Sequence, residues 1–248
     1  PAWLRKRERK SDFMEREICM INGISCYIYE KKNPEYLLIQ PVNEPHAQIL
    51  DQQVQFMESH TEKSFLLVSF QVKDWNHDLS PWYAPAVFGK ESFGNGAGET
   101  LLFIEKTLIP EMKRKYNLEE NNPDIPVILG GYSRAGLFVL WSAYQPELST
   151  KFSAIAAMSP SVWFPEWLDY MKRNPIRTGH IYLSLGDREE KTRNAVMAQV
   201  GNCIREASDW YITNEKIDCT LEWNEGNHFR DVDVRCGKGF LWGMKKIR

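Results

Sequence analysis

The chain has 248 residues, of which 43% are hydrophobic, so it is long enough to bury the core of one large domain. Its 31 basic and 33 acidic residues give a net charge of −2, which argues against a nucleic-acid partner bound by a basic surface. The sequence contains no apolar stretch long enough to cross a membrane, and no shift in composition marks a linker. We therefore expect a single domain over residues 1–248, with neither a nucleic-acid nor a membrane partner.

The cysteines and the first ten residues bear on the cellular compartment. The five cysteines are odd in number and form no CxxC pair, which argues against a zinc ribbon or a dithiol redox motif. The N-terminal segment PAWLRKRERK is charged and unlike a secretion signal. Together these features predict a reducing, cytoplasmic location. The alternative is that a leader preceded this segment and was removed.

Short apolar runs alternate with segments of helical spacing along the chain. The first two strands, Glu17–Met20 and Ser25–Tyr29, are joined by Asn22 and Gly23, a strong hairpin signal. The later predicted strands are Tyr36–Val42, Ser64–Val72, Val127–Gly130, Phe152–Ala157, His180–Leu185 and Ile217–Trp223. The predicted helices are Ala47–His60, Glu99–Asn117, Arg134–Tyr144, Glu166–Arg173, Arg193–Tyr211 and Gly237–Lys246. This order predicts an α/β fold, with a mostly parallel, twisted sheet of about eight strands and helices on both faces.

One long segment, residues 73–98, does not follow the alternation. It has no clear period and is rich in proline, glycine and aromatic residues. Loops of this length inside a compact domain are usually either functional or disordered. Its aromatic content argues against disorder, so we expect an ordered loop beside a binding pocket. The stretch GNGAG at its end is expected to turn the chain into the next helix.

The stretch VILGGYSRAGLF, residues 127–138, sets one serine between a predicted strand and a predicted helix. A serine nucleophile must be exposed at the end of a strand, in a turn so tight that its neighbours must be small. Gly131 lies two residues before Ser133 and Ala135 lies two residues after it. The helix that follows would direct the backbone N–H of Arg134 at a developing oxyanion. The pattern therefore predicts a nucleophilic serine.

A chance match and a phosphate-binding loop account for this stretch less well. Glycine-rich turns between strands and helices are common, so the pattern alone could arise by chance. The apolar strand before it and the amphipathic helix after it are the context that the catalytic motif requires. A phosphate-binding loop is disfavoured because the stretch contains neither Gly-Lys-Ser/Thr nor GxGxxG.

A serine nucleophile needs a base, and the base needs an acid to orient it. His228 is the only histidine after the last predicted strand, in the loop NEGNHFRD. The other histidines are disfavoured by their positions in the predicted elements: His46, His60, His77 and His180. The acid should follow the strand His180–Leu185, because functional groups gather at the carboxyl ends of parallel strands. That loop offers three carboxylates, Asp187, Glu189 and Glu190. Glu222 and Glu225 are further candidates, and spacing alone leaves the choice open.

These segments resemble the α/β-hydrolase superfamily, in particular the esterase D-like family that includes feruloyl and siderophore esterases. The resemblance lies in GYSRAG (131–136), AAMSPSVWF (156–164), IYLSLGDREEKT (181–192) and GNHF (226–229), and it extends over about residues 36–245. It implies a serine hydrolase that cleaves carboxylic esters of small molecules without a metal or another cofactor. It also implies that Ser133 is the nucleophile and His228 the base. In that family the acid often lies three residues after the glycine that ends the strand, which ranks Glu189 ahead of Asp187.

The sequence departs from that family at the oxyanion loop, where relatives usually carry a glycine. Here the chain continues as LLIQPVNEPH, and Pro41 has no backbone N–H to donate. The second oxyanion donor is then the backbone N–H of Val42 or Asn43, beside that of Arg134. The Arg134 side chain is also unusual at its position. It could bind an anionic substrate, but pairing with a nearby carboxylate is the preferred interpretation.

The aromatic side chains near the predicted site are candidates to line a substrate pocket. They are Trp75 and Trp82 of the long loop, Trp163 after the Ser-Pro-Ser turn, and Tyr132 beside the serine. For the tryptophans the alternative is that they pack the loop onto the domain. Two alternatives to the hydrolase also remain: an acyltransferase with the same triad, and a non-catalytic binding protein that keeps the fold.

Overall fold

The computed structural model describes residues 13–146, 149–213 and 217–247. Within these ranges eight strands form one sheet in the order β1-β2-β4-β3-β5-β6-β7-β8. The strands are β1 Glu17–Ile21, β2 Ile24–Glu30, β3 Tyr36–Val42, β4 Phe65–Gln71, β5 Val127–Tyr132, β6 Ala154–Met158, β7 His180–Gly186 and β8 Asp218–Asn224. The charged segment that opens the sequence lies outside the described residues.

The pairing of the strands confirms the predicted fold class. β1 and β2 form an antiparallel hairpin through Asn22 and Gly23, both of which have positive φ angles. β2 pairs antiparallel with β4, and every later pairing in the sheet is parallel. The carboxyl ends of β3 to β8 therefore lie along one edge, where the predicted functional loops begin.

The helices cover both faces of the sheet. They are α1 Glu44–Gln48, α2 Leu50–Glu58, α3 Ala97–Phe103, α4 Ile109–Lys115, α5 Leu118–Asn121, α6 Arg134–Ser142, α7 Trp167–Arg173, α8 Val200–Thr213 and α9 Val232–Lys246. α2 and α9 pack with the inward side chains of one face, among them Leu38, Leu67 and Ile128. The helices α3 to α8 pack with the larger apolar cluster of the other face.

The helix predicted over Glu99–Asn117 is divided in the structure. Residues Ile104–Leu108 form a π-helical turn between α3 and α4. Pro110 follows this turn as the second residue of α4. A proline ring clashes with the carbonyl four residues earlier, and a wider turn at that point relieves the clash.

Three helices begin three or more residues away from their predicted starts. α1 starts at Glu44 because Asn43 caps it, accepting the backbone N–H of His46 at 3.0 Å. α8 starts at Val200, since the Asn194 side chain accepts the N–H groups of residues 196 and 197 and holds a turn there. α9 starts at Val232. The glycines of this helix weaken its helical pattern in the sequence, so its start was not predicted. They also bring the helix close to the sheet, since a Cβ at Gly239 would lie 2.5 Å from the Met158 sulfur.

A buried polar cluster joins α1 and α2 to the sheet. The His46 ring nitrogen Nε2 lies 3.2 Å from the Gln53 side-chain oxygen, and Gln53 exchanges hydrogen bonds with Gln40. Gln40 also donates to Ser69 at 3.0 Å. Burial lowers the pKa of His46 from 6.5 to about 4, so the folded protein keeps this ring neutral.

We expect His46 to make the protein less stable in mild acid. The unfolded chain binds a proton at this residue as the pH falls below 6.5, whereas the folded chain does so only near pH 4. Between about pH 8 and pH 5 this difference removes about 2 kcal/mol from the free energy of unfolding. Urea unfolding at pH 8 and pH 5 measures the free energy of unfolding of each protein. The decrease between the two pH values should be smaller in His46→Gln than in the wild type. An equal loss in wild type and variant would contradict the prediction.

None of the helices formed by the described residues is long and apolar enough to span a membrane. The cysteines Cys19, Cys26, Cys203, Cys219 and Cys236 are free thiols. In the described ranges, no three His, Cys, Asp or Glu side chains are grouped to hold a metal ion.

Candidate active site

The serine singled out in the sequence lies in a sharp turn between β5 and α6. Ser133 has φ 62° and ψ −120°, a conformation that L-residues rarely adopt. The Ser133 N–H donates to the carbonyl of Met158, and its carbonyl accepts the N–H groups of Leu137 and Ser161. These bonds hold the strained residue and leave its side chain partly exposed at the carboxyl edge of the sheet.

Gly131 provides the space that this turn requires. A Cβ at that position would lie 2.3 Å from the carbonyl oxygen of Ala135. No rotamer change can relieve a clash with a backbone atom. The glycine is therefore needed for the close approach of β5 and α6.

We expect Gly131→Ala to lower the free energy of unfolding by about 2 to 3 kcal/mol, because the backbone of the turn must shift. The matched control is Gly98→Ala in α3, where a new Cβ meets no described atom within 4 Å. Alanine favours a helix, so the control should gain about 0.5 kcal/mol. Urea unfolding measures both variants. Equal, small changes in the two would contradict the steric argument.

The histidine singled out in the sequence lies beside this serine. His228 follows β8 in a loop at the same edge of the sheet, and its Nε2 is 2.9 Å from the Ser133 Oγ. Its Nδ1 is 2.6 Å from the Glu189 Oε2. The side chain of His228 is 30% exposed, so solvent and small molecules can reach it.

Glu189 contacts His228 from the end of β7, and the second oxygen of its carboxylate is also fully engaged. Oε1 accepts the Ser159 hydroxyl at 2.6 Å, the Gly186 N–H at 2.8 Å and the Arg235 Nη1 at 2.9 Å. Burial by itself raises the pKa of this carboxyl, but the bonds from His228, Ser159 and Gly186 outweigh burial and hold the pKa below its usual range. Glu189 is therefore ionised at neutral pH.

Asp187, the second-ranked acid, binds the backbone of the histidine loop. Its Oδ1 accepts the backbone N–H of Gly226 at 2.8 Å and so holds the loop that carries the histidine. The remaining acidic candidates bind other side chains. Glu190 pairs with Arg205, Glu222 with Tyr182 and Lys238, and Glu225 with Arg230.

Arg235 of α9, which no pattern in the sequence marks, ties the site together. Its side chain is 1% exposed. Nη1 donates to Glu189, Tyr132 and Ser159, while Nη2 donates to the carbonyls of Glu225 and residue 227 at 3.1 and 3.0 Å. One guanidinium thus joins the acid, the strand before the serine and the histidine loop. A basic residue in a helix carries no sequence signal for such a role.

We expect Arg235→Met to lower the free energy of unfolding by about 3 to 5 kcal/mol, since it leaves the buried carboxylate of Glu189 without its cation. The matched control is Arg205→Met, which removes an arginine that is 47% exposed and pairs with Glu190. That surface pair should contribute less than about 1 kcal/mol. Chemical denaturation of both variants tests the difference. Comparable losses in the two would show that Arg235 has no special role.

Tyr132 was expected to contact substrate, but the structure buries it. Only 5% of the residue is exposed. Its hydroxyl donates to the carbonyl of His228 at 2.9 Å and accepts from Arg235, and its ring centre lies 5.3 Å from that of the histidine. Tyr132 therefore holds the backbone and ring of His228 from the buried side, and its burial argues against the expected substrate contact.

The residues expected to supply oxyanion donors lie on neighbouring elements. β3 is next to β5 in the sheet, so Val42 and Asn43 at its end lie at the same edge as Ser133. The Asn43 side chain is occupied in capping α1. Arg134 begins α6 immediately after the serine.

The tryptophans differ in their surroundings. Trp82 donates its indole N–H to the carbonyl of Pro165 and packs against Phe164 and Tyr170, at ring separations of 5.7 and 5.1 Å. These contacts fit the alternative that it packs the long loop onto the domain. Trp75 is partly buried against the main apolar cluster, and Trp163 lies beside the Arg134 side chain.

The Arg134 side chain has no carboxylate partner among the described residues, contrary to the preferred interpretation of the sequence. It is 3% exposed, and its guanidinium carbon lies 4.0, 5.1 and 5.0 Å from the ring centres of Phe93, Trp163 and Phe164. Burial lowers its pKa to about 9. At neutral pH this position therefore holds a buried cation enclosed by aromatic rings.

A comparison with protein families gives the class of the chain. The family model described as "Putative esterase" matches residues 38–230, which is more than half of the sequence. The chain belongs to this family, and it is a carboxylic ester hydrolase. The family resemblance inferred from the motifs is thereby confirmed. A comparison with curated protein sequences finds no significant match.

Solved structures share the fold at low sequence identity. The IroE-like serine hydrolase from Shewanella oneidensis has a TM-score of 0.74 at 15% identity, over 92% of this chain and 79% of its own. The siderophore hydrolase EstB from Aspergillus nidulans has a TM-score of 0.68 at 18% identity, over 97% and 95%. The enterobactin esterase FES from Shigella flexneri has a TM-score of 0.64 at 15% identity, over 96% and 61%. At these identities the similarity establishes the α/β-hydrolase fold.

Proposed function

We propose that the protein hydrolyses small-molecule carboxylic esters through a triad of Ser133, His228 and Glu189 and a covalent acyl-enzyme. The observation that carries the proposal is the chain of two hydrogen bonds, 2.9 Å from Ser133 to His228 and 2.6 Å from His228 to Glu189. It is the arrangement that a serine nucleophile needs, with a base in contact and an acid that orients the base.

The ionised Glu189 determines which nitrogen of His228 acts as the base. A carboxylate only accepts hydrogen bonds, so the Nδ1 that it contacts must carry the proton. Nε2 of the neutral ring is then free to accept the proton of the Ser133 hydroxyl. The low pKa of Glu189 therefore supports the tautomer that general-base catalysis requires.

The reaction proceeds in two acyl transfers. Ser133 Oγ attacks the ester carbonyl while His228 Nε2 takes its proton, and the resulting imidazolium protonates the departing alcohol. Water then attacks the acyl-enzyme with His228 again acting as the base, which releases the carboxylic acid and restores the serine. We assign stabilisation of the oxyanion to the backbone N–H groups of Arg134 and of Val42 or Asn43.

Covalent labelling tests the proposal directly. A fluorophosphonate probe should add one phosphonyl group to the wild-type protein, and peptide mass spectrometry should place it on Ser133. Ser133→Ala is the matched control and should remain unlabelled. Labelling of another residue, or hydrolysis of p-nitrophenyl butyrate by a protein that the probe does not modify, would overturn the assignment of the nucleophile.

A further inference from the structure

The position after the serine carries a positive charge that the acyl transfer does not use. The backbone N–H of Arg134 is assigned to the oxyanion, but its side chain has no function in the reaction. Nε and Nη1 are enclosed by the protein and have no hydrogen-bond partner among the residues that the structure describes. Three aromatic rings, those of Phe93, Trp163 and Phe164, surround the guanidinium.

The aromatic rings account for only part of what this cation requires. A ring face attracts the charge of a guanidinium that lies over it. The N–H donors, however, point outwards in the plane of the guanidinium, and a stacked ring gives them no acceptor. A buried donor that loses its water without gaining an acceptor destabilises the fold, and the penalty is larger for a charged group. On the residue that follows the nucleophile, the folded chain therefore keeps donors that lack an acceptor in the described part of the chain.

A carboxylate is the group that matches these donors best. A carboxylate oxygen accepts N–H bonds in the plane of an arginine, and the charge of the carboxylate neutralises the buried cation. We propose that Arg134 binds a carboxylate of the substrate, so that the preferred substrates are esters that carry a free carboxylate near the ester carbonyl. This inference rests on the proposed role of Ser133, since Arg134 is its immediate neighbour.

The surrounding rings indicate the direction from which such a group enters. Phe93 and Phe164 are 1% and 2% exposed, so they close one side of the space around the guanidinium. Trp163 is only partly buried, so a ligand reaches the guanidinium along the face that this indole covers. Trp163, which is expected from the sequence to border the substrate pocket, would then cover the entry to the guanidinium. Its indole would move aside when the carboxylate binds.

The test compares matched esters that differ in one negative charge. The pair p-carboxyphenyl acetate and p-acetylphenyl acetate places the charge on the alcohol side. The mono-p-nitrophenyl ester of adipic acid and p-nitrophenyl hexanoate place it on the acyl side. The measured quantity is the ratio of kcat/KM for the charged ester to kcat/KM for the neutral ester within each pair.

In at least one pair this ratio should be about 10 to 100 times higher for the wild type than for Arg134→Met, which removes the charge-assisted bonds. Arg134→Lys should give an intermediate ratio, because it keeps the charge but loses the planar N–H donors of the guanidinium. The matched control is Arg230→Met. It removes an exposed positive charge from the histidine loop, and the ratio should change by less than about twofold.

The outcomes separate this inference from the proposed function. If Ser133→Ala still hydrolyses the esters, the proposed function fails. If Ser133 is required but the wild type shows no preference for the charged ester in either pair, the role of Arg134 alone is overturned. The same holds if Arg134→Met keeps the wild-type ratio. If Arg134→Met does not fold, competitive inhibition of the wild type tests the inference instead. Adipate and benzoate should then inhibit more strongly than the neutral analogues hexanamide and benzamide. Equal inhibition by acids and amides overturns the inference.

Discussion

Replacement of Ser133 by alanine should lower kcat/KM for p-nitrophenyl butyrate by about 10⁴- to 10⁶-fold, and His228→Ala should have an effect of similar size. Without the hydroxyl no acyl-enzyme forms, and without the imidazole the hydroxyl keeps its proton. Because the two side chains act as a unit, the double variant should be no less active than the worse single variant.

Steady-state kinetics and a thermal melt of each variant measure these effects. Ser142→Ala is the matched control, since it removes a buried serine at the other end of α6 whose hydroxyl bonds the carbonyl of Phe138. This variant shows whether the loss of a serine hydroxyl from α6 lowers activity by itself. Its kcat/KM should stay within about threefold of the wild-type value. A folded Ser133→Ala that retains more than a tenth of wild-type activity would contradict the triad.

Glu189→Gln should lower kcat by about 10³- to 10⁴-fold, whereas Asp187→Asn should lower it by less than about tenfold. The amide of glutamine can turn its NH₂ group toward His228 Nδ1, which moves the ring proton to Nε2 and removes the base. Asparagine at position 187 keeps an oxygen that can accept the Gly226 N–H, so the histidine loop stays in place.

Thermal melts are needed beside the kinetics of these two variants, because Glu189→Gln also leaves the Arg235 cation without its carboxylate. A melting temperature near that of the wild type with a large loss of kcat would assign the effect to catalysis. A larger loss of kcat in Asp187→Asn than in Glu189→Gln would show that the contact at 2.6 Å between Glu189 and His228 does not identify the acid.

Local patterns in the sequence were enough to predict the strands and the turn that carries Ser133. Strand hydrophobicity and small residues around a serine are short-range signals, and chain order alone singled out His228. The choice between Glu189 and Asp187 needed more, because both are acidic residues of one loop. The family resemblance ranked them, and only the fold shows that Asp187 binds a backbone N–H while Glu189 contacts the ring.

The roles of Arg235 and Arg134 could not be predicted because they depend on contacts between distant parts of the chain. Arg235 meets Tyr132, which lies 103 residues earlier. Arg134 is enclosed by Phe93 of the long loop and by rings that follow β6. Neither environment has a period, a spacing or a composition that marks it in the sequence.

In the histidine loop, the backbone is fixed by buried hydrogen bonds, whereas one exposed side chain is free to be substituted. Arg235 and Tyr132 hold its backbone from the protein interior, through the carbonyls of residues 225, 227 and 228. The next residue, Phe229, is 84% exposed and packs edge-on beside the His228 ring. Directed evolution can therefore vary position 229 at the rim of the site without loosening the base. It is the natural first position for a library that aims to change which esters this fold accepts.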